Sequence, residues 1–128
     1  MERRTVPGES AQGDEGEVRE ILERLAAEDS DFAAEVRSTF VRDPFEVVSK
    51  EPIVGLVRER AAQASGREPG YTGSAGWMDA ALLAAAGVPT VEYGQGGSGA
   101  PAAAEWVELD DLEVLRRVLL STVEEFCA

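Results

Sequence analysis

The 128-residue chain contains no histidine, and this absence removes several kinds of chemistry at once. A serine or cysteine nucleophile usually needs a neighbouring base such as an imidazole, and zinc sites are built from imidazole and thiolate with carboxylate support. Ser74 and Ser98 both lie in glycine-rich stretches, but neither has the imidazole that a triad would require. The sequence therefore argues against a self-contained triad and against a self-contained zinc site.

Cysteine, lysine and long apolar runs are almost as scarce. Cys127 is the single cysteine, so no internal disulfide can form, which fits a reducing compartment. Lys50 is the single lysine, and the formal net charge is −13 at pH 7. Proteins that bind nucleic acids or anionic membranes need clustered basic residues, so we expect neither partner. No apolar stretch is long enough to span a bilayer and no signal peptide is evident, which predicts a cytoplasmic protein.

What is present is a set of alternating strand-like and helix-like segments. We predict strands at 2–6, 34–42 and 89–93 from their short runs of β-forming residues. Apolar residues at helical spacing predict a helix within the segment 9–32, with Asp14 as its N-cap, and a second helix that includes residues 53–64. Two further helices are predicted over 78–86 and 109–126. Gly66 and Gly87 would end two of these helices, and the last is expected to bury one apolar face (Leu112, Leu115, Leu119, Val123 and Phe126). The predicted fold class is α/β.

The stretch after the third predicted strand is rich in glycine. Gly94, Gly96 and Gly99 fit the spacing G-x-G-x-x-G of a dinucleotide-binding turn, but the same loop could hold a carboxylate or a metal ligand, or simply turn the chain. The dinucleotide interpretation requires a helix opened by the loop and a following strand that ends in an acidic residue. Pro101 interrupts soon after Gly99, and no second strand is predicted, so this interpretation fails. Asp110 and Asp111 are explained more simply as charges at a helix N-terminus than as a magnesium or calcium site.

Three segments, in this order, carry a resemblance to a known family: "ERRTVPGE", "GWMDAALLAAAGVPTVEYGQGG" and "AEWVELDDLEVLRRV". They resemble the C-terminal part of the acetylornithine deacetylase, succinyl-diaminopimelate desuccinylase and carboxypeptidase G family of dinuclear zinc amidohydrolases. Members of that family have an α/β catalytic domain with a smaller lid, or dimerisation, domain inserted into it. The resemblance implies that residues 1–46 are the strand-helix-strand end of the lid domain. Residues 47–128 would be the C-terminal α/β part of the catalytic domain.

The resemblance also implies a set of substrate-binding positions. Arg4 falls on the arginine of the family's D-x-R-x-x-P-G pattern, and Asp79 falls on the aspartate of its T-D-A motif. The family's Gly-Pro-Gly-Gly turn, whose backbone N–H groups approach the substrate carboxylate, matches the glycines here. Glu105 matches the glutamate that precedes the family's Trp-Val pair. The substrate-binding residues implied by the resemblance are Arg4, Asp79, Gly94, Gly96, Gly97 and Glu105.

The departures from the family pattern bear on catalysis. Pro101 stands at the position of a zinc-ligating histidine, Ala104 replaces an aspartate and Met78 replaces a threonine. The other ligands and the glutamate base belong to a part of the family chain that has no counterpart here, so we expect no catalytic residue, no metal and no cofactor in this chain. The implied function is that of a C-terminal fragment or degenerate relative of a zinc amidohydrolase of N-acyl amino acids or small peptides. Its implied partners are a small carboxylate ligand, a second copy or a missing N-terminal half; the alternative is a non-catalytic binding or dimerisation module.

Overall fold

The computed structural model describes residues 1–99 and 102–128. Its elements are helices α1 (Ala11–Glu28), α2 (Pro52–Ser65) and α3 (Ala80–Ala85), strands β1 (Gly97–Ser98) and β2 (Trp106–Val107), and helix α4 (Leu109–Phe126). The chain divides into two compact units. The first unit consists of Met1–Glu46 with Ala75–Trp77, and the second of Val47–Ser74 with Met78–Ala128.

No helix in the described part of the chain is both long enough and apolar enough to cross a membrane. The cytoplasmic location expected from the composition is not tested by this finding and stays a prediction.

Helix α1, in the first unit, begins earlier than the sequence predicts. Ser10 has extended backbone angles, φ −132° and ψ 144°, and its side-chain oxygen accepts a hydrogen bond from the Gly13 N–H at 3.2 Å. Asp14 is already helical, since its own N–H donates to the Ser10 carbonyl at 3.0 Å. The predicted Asp14 N-cap is therefore wrong, because a serine four residues earlier satisfies the first free N–H groups. Asp14 instead pairs with Arg3 at 3.1 Å.

The apolar residues of α1 follow the helical spacing that the sequence predicts, but none of them is buried. Ile21 remains 45% exposed and Leu25 remains 39% exposed. The first unit also takes in residues 75–77: the Trp77 Nε1–H donates to the Asp43 carbonyl at 3.1 Å, and the Arg4 guanidinium donates to the Ala75 carbonyl at 2.5 Å. Polar contacts rather than an apolar core therefore hold this unit together.

The strands predicted at 2–6, 34–42 and 89–93 are wrong. Within the described residues, the only strands are β1 and β2, which form an antiparallel pair. A strand requires a hydrogen-bonded neighbour, and the preference of β-branched and aromatic residues for strands largely reflects packing against such a neighbour. These three segments have the expected composition but no ladder partner among the described residues.

The core of the second unit lies between α2 and α4. Helix α2 has proline at its first turn and ends at Gly66, whose φ of 70° is the left-handed conformation that glycine adopts most easily. The predictions of this helix and of its end are confirmed. Its buried residues are Ile53, Val54, Val57 and Ala61, and they pack against Val118 of α4, which is completely buried.

Helix α4 has the predicted bounds, but it buries a different face. Val118 and Thr122 are buried and Val114 packs against the core, whereas Leu119 and Val123 remain 51% and 58% exposed. The buried row has a spacing of four residues, as does the facing row on α2, so the two rows can interlock as ridges and grooves. The row that α4 buries is therefore Val114, Val118 and Thr122, not the leucine row.

Helix α3 is shorter than predicted, and Gly87, with φ 78°, ends the turn that follows it. The next segment is extended without being paired. Val91 and Tyr93 pack against the core of the second unit, whereas Glu92 between them is exposed and only slight desolvation raises its pKa. The segment therefore runs along the core of the second unit before it reaches the glycine turn.

Candidate functional site

The glycine turn is fastened to the beginning of α4. Gly97 pairs with Val107, and Ser98 pairs with Trp106, in the antiparallel pair β1–β2. The Glu108 N–H donates to the Gly96 carbonyl at 3.2 Å. Because β2 leads directly into α4, this pairing holds the turn beside the N-terminus of that helix.

The backbone of the turn approaches its neighbours more closely than a side chain would allow. The Gly96 N–H donates to Oδ2 of Asp111, in the first turn of α4, at 3.0 Å. A Cβ atom at Gly96 would collide with the same carboxylate, and one at Gly97 would collide with the Trp106 carbonyl oxygen. Glycine is required at Gly97, where the colliding atoms belong to the backbone of β2, whereas at Gly96 the Asp111 side chain would have to move away and give up its hydrogen bond.

An open cavity of about 240 Å³ lies beside the turn, within the second unit. The end of α2, the residues that follow it, the glycine turn and the first turns of α4 form its wall. The polar groups that line it include Ser65, Arg67, Glu68, Tyr93, the backbone of Gly96, and Asp111.

The charges around this cavity are of both signs. Glu68 pairs with Arg58 at 3.4 Å, and Oδ2 of Asp111 is bound by the Gly96 N–H. The Arg67 guanidinium, in contrast, makes no hydrogen bond or ion pair with any described residue, while the Arg67 backbone N–H is held by Ser65 Oγ at 3.2 Å. The backbone of Arg67 is thus fixed at the end of α2 while its charge is free to meet a ligand.

The predicted site residues do not all come together. Gly94 and Gly96 line the cavity, and Gly97 follows them in β1. Glu105 is an exposed residue immediately before β2, so it belongs to the same hairpin. These four residues are close in the fold because the β1–β2 pairing joins the two ends of the loop.

The other two predicted site residues have different surroundings. Asp79 precedes α3, where its carbonyl accepts hydrogen bonds from Leu82 and Leu83 at 2.9 and 3.2 Å, and its side chain makes no capping hydrogen bond. Arg4 belongs to the first unit, where it donates to the Ala75 carbonyl and pairs with Glu2 at 2.9 Å. Pro101 lies outside the described residues, so its predicted place at a ligand position is not tested.

Comparison with known families identifies the chain as a whole. The model of the peptidase family M20/M25/M40 matches residues 6–125. The chain belongs to this family. No curated protein and no solved structure gives a significant match.

Membership of the M20/M25/M40 family confirms the coarser part of the predicted resemblance, namely a relative of peptidases and amidohydrolases. The narrower assignment to the acetylornithine deacetylase, succinyl-diaminopimelate desuccinylase and carboxypeptidase G branch stays a prediction.

The M20/M25/M40 family is generally metal-dependent, so a catalytic member needs donor groups that can hold a metal ion. The sequence has no histidine, and its single cysteine, Cys127, is exposed near the C-terminus. In the part of the chain that the structure describes, no three histidine, cysteine, aspartate or glutamate side chains are grouped so as to hold a metal ion. Zinc favours imidazole and thiolate ligands, so the residues described in this M20 chain do not fit zinc.

Arg67 and Asp111 line the cavity of this M20 chain, but the sequence patterns assigned neither of them to a site. Arg67 belongs to no motif, although Gly66 marks the end of α2 and therefore places Arg67 just beyond a helix terminus. Asp111 was explained as a helix-terminal charge, whereas its carboxylate also holds the glycine turn. Its contact with Gly96 spans 15 residues, and no local sequence pattern reports contacts over that separation.

Proposed function

We propose that this chain carries the substrate-binding turn of an M20-type amidohydrolase, and that it binds a small carboxylate-bearing ligand without cleaving amide bonds by itself. It would do so either as the C-terminal part of a longer enzyme or as a degenerate relative of one. The observation that carries the proposal is the glycine turn, fixed against α4 beside a cavity whose wall includes Arg67, a residue with an unpaired guanidinium. The substrate roles of Arg4, Asp79 and Glu105 are part of the same proposal.

The local geometry supports a turn that receives carboxylates. Glycine residues leave the backbone N–H groups accessible, and such groups in a turn form a concave site for anions. The Gly96 N–H already donates a hydrogen bond to a carboxylate oxygen, Oδ2 of Asp111, at 3.0 Å. Since Asp111 already occupies the Gly96 N–H, the ligand carboxylate would be bound by Arg67, the unpaired cation beside the turn.

The available metal-ligating side chains support the part of the proposal that this chain does not cleave amide bonds by itself. In a metal-dependent amidohydrolase, the metal polarises the carbonyl oxygen and activates the attacking water, and a carboxylate base accepts the proton. The described residues provide no group of ligands that could hold such a metal, and this sequence has no imidazole to replace it. Binding without turnover is the behaviour that these residues can support.

The proposal can be tested with N-acetylated amino acids. The purified chain is incubated with N-acetyl-L-alanine and N-acetyl-L-methionine, with and without added zinc or cobalt, and release of the free amino group is measured. We expect no release above the protein-free control in any condition, and saturable ligand binding by nuclear magnetic resonance. Metal-dependent release that scales with protein concentration would overturn the first half of the proposal, and the absence of any ligand binding would overturn the second.

Self-association is the second candidate function, and the exposed apolar face of α4 favours it. Leu119, Leu120 and Val123 are all about half exposed on this helix. In an antiparallel pair of α4 helices centred near Leu120, Arg117 of one copy would lie opposite Glu124 of the other, so the flanking charges are complementary. We propose a second copy of this chain as the occupant of this face.

Sedimentation equilibrium tests this candidate. We expect a dimer that Leu120→Glu dissociates, because the substitution places a charge at the centre of the apolar contact. Leu82→Glu, which changes a similarly exposed leucine on α3, is the matched control and should leave the dimer intact. A monomer at every concentration would refute self-association.

A further inference from the structure

The cavity beside the glycine turn combines an unpaired cation with an incompletely paired carboxylate. We propose that it binds a free α-amino acid in its zwitterionic form, with the ligand carboxylate on Arg67 and the ligand ammonium on Asp111. This inference rests on the proposed function, since it names the ligand class of the same site. It goes further in assigning a binding role to two residues outside the family motifs.

The guanidinium of Arg67 is the group best suited to the ligand carboxylate. Arg67 is one of the residues that line the cavity, and its guanidinium makes no hydrogen bond or ion pair with the residues that the structure describes. The other nearby cation, Arg58, is already paired with Glu68 at 3.4 Å. A guanidinium offers two parallel N–H groups to a carboxylate, which gives this contact both strength and direction.

Asp111 determines where the second charge of the ligand would lie. Its Oδ2 is held by the Gly96 N–H, whereas no described residue donates a hydrogen bond to its Oδ1. A ligand carboxylate that approached Gly96 would meet this like charge at close range, which is unfavourable. An ammonium would instead find a free carboxylate oxygen that is already held in a fixed orientation.

The size and the chemistry of the cavity agree with this ligand class. A volume of about 240 Å³ can hold a small amino acid, and the Ser65 and Tyr93 side chains give part of its wall a mixed polar and apolar character. A free amino acid is also what remains when water cleaves an N-acyl amino acid: the C–N bond breaks, the acyl group takes the water oxygen and leaves as a carboxylate, and the nitrogen takes both protons of the water and becomes an ammonium. N-acylation removes the ammonium charge, so the two ligand classes differ in the one group that Asp111 would hold.

Three related probes separate the contributions of the two charges. The ¹⁵N-labelled chain is titrated with L-alanine, N-acetyl-L-alanine and L-alaninamide, and the backbone amide shifts of Gly96 and Arg67 are followed. We expect saturable shifts with L-alanine and binding weaker by about tenfold or more for the two probes that lack one charge, because each loses a charge-assisted hydrogen bond. If N-acetyl-L-alanine binds as tightly as L-alanine, this inference is refuted while the proposed function stands. If no probe binds, both are refuted.

Two substitutions test the assigned residues. Asp111→Asn keeps an oxygen that can accept the Gly96 N–H but removes the charge, so it should weaken L-alanine binding about tenfold without unfolding the turn. Arg67→Gln should weaken it to a similar degree. Asp110→Asn and Arg24→Gln change the same residue types outside the cavity and should leave the affinity unchanged. Unchanged affinity in both cavity variants would refute the assignment.

Discussion

Val118 is the residue on which the packing of α4 against α2 depends most clearly, and its truncation gives the most direct test of the fold. Val118→Ala removes two methyl groups from a side chain that is completely buried. The lost transfer free energy is about 1.6 kcal/mol at about 0.8 kcal/mol for each group. The remaining void costs about 1 kcal/mol more, and the better helix propensity of alanine returns about 0.5 kcal/mol. We expect a net loss of about 2 kcal/mol in the free energy of unfolding.

Leu119→Ala is the matched control, because it removes a larger side chain from the adjacent position of the same helix. Leu119 is 51% exposed, so its truncation should cost about 1 kcal/mol or less. Urea unfolding followed by far-ultraviolet circular dichroism gives both values, provided that the slope against urea concentration is the same for each variant. An equal loss for the two variants, or a greater loss for Leu119→Ala, would show that α4 buries its leucine face instead.

Three further predictions concern the turn, the pH dependence and metal binding. Gly97→Ala should destabilise the second unit by about 1–3 kcal/mol, because the new Cβ meets the Trp106 carbonyl. Gly70→Ala, which places its Cβ in open space, is the control and should have little effect. Equal melting temperatures for the two variants would contradict this prediction. The Ser38 N–H holds the pKa of Glu15 below its usual value, so this contribution to stability is present above the unfolded-state pKa and is lost as the pH falls through the folded-state pKa. The melting temperature should therefore fall between about pH 5 and about pH 3, and less steeply in Glu15→Gln; parallel curves would argue against it. Calorimetric titration with zinc at neutral pH should reveal no tight site, and a stoichiometric site with a dissociation constant below about 1 μM would contradict the donor set described above.

The helices of the second unit could be predicted because their signals are local. The apolar spacing of α2, together with Gly66 after it, determines both the helix and its end, and α4 has an equally regular pattern over its whole length. The face that α4 buries could not be predicted in the same way. Hydrophobicity ranks Leu119 above Thr122, but Thr122 is buried and Leu119 is half exposed, because the face that α4 buries depends on how it packs against its partner helix α2.

The candidate site shows the same division between local and long-range information. The glycine spacing identified the turn, since glycine is the residue that allows a backbone to pass close to its neighbours. The strands could not be identified reliably, because a segment such as 89–93 has strand-like composition whether or not a neighbour pairs with it. Arg67 and Asp111 meet at the cavity only because the end of one helix and the beginning of another are brought together by the core.

The interlocked rows of α2 and α4 have a consequence for recognition at a distance from the core. Arg67 follows the end of α2, and Asp111 lies in the first turn of α4, so the separation between their charges is set by the spacing of the two helices. The attraction between opposite charges varies inversely with distance, and the packing around the buried Val118 holds α2 and α4 against each other. A change of packing at Val118 is therefore expected to change the separation between the two charged residues that a ligand would have to span.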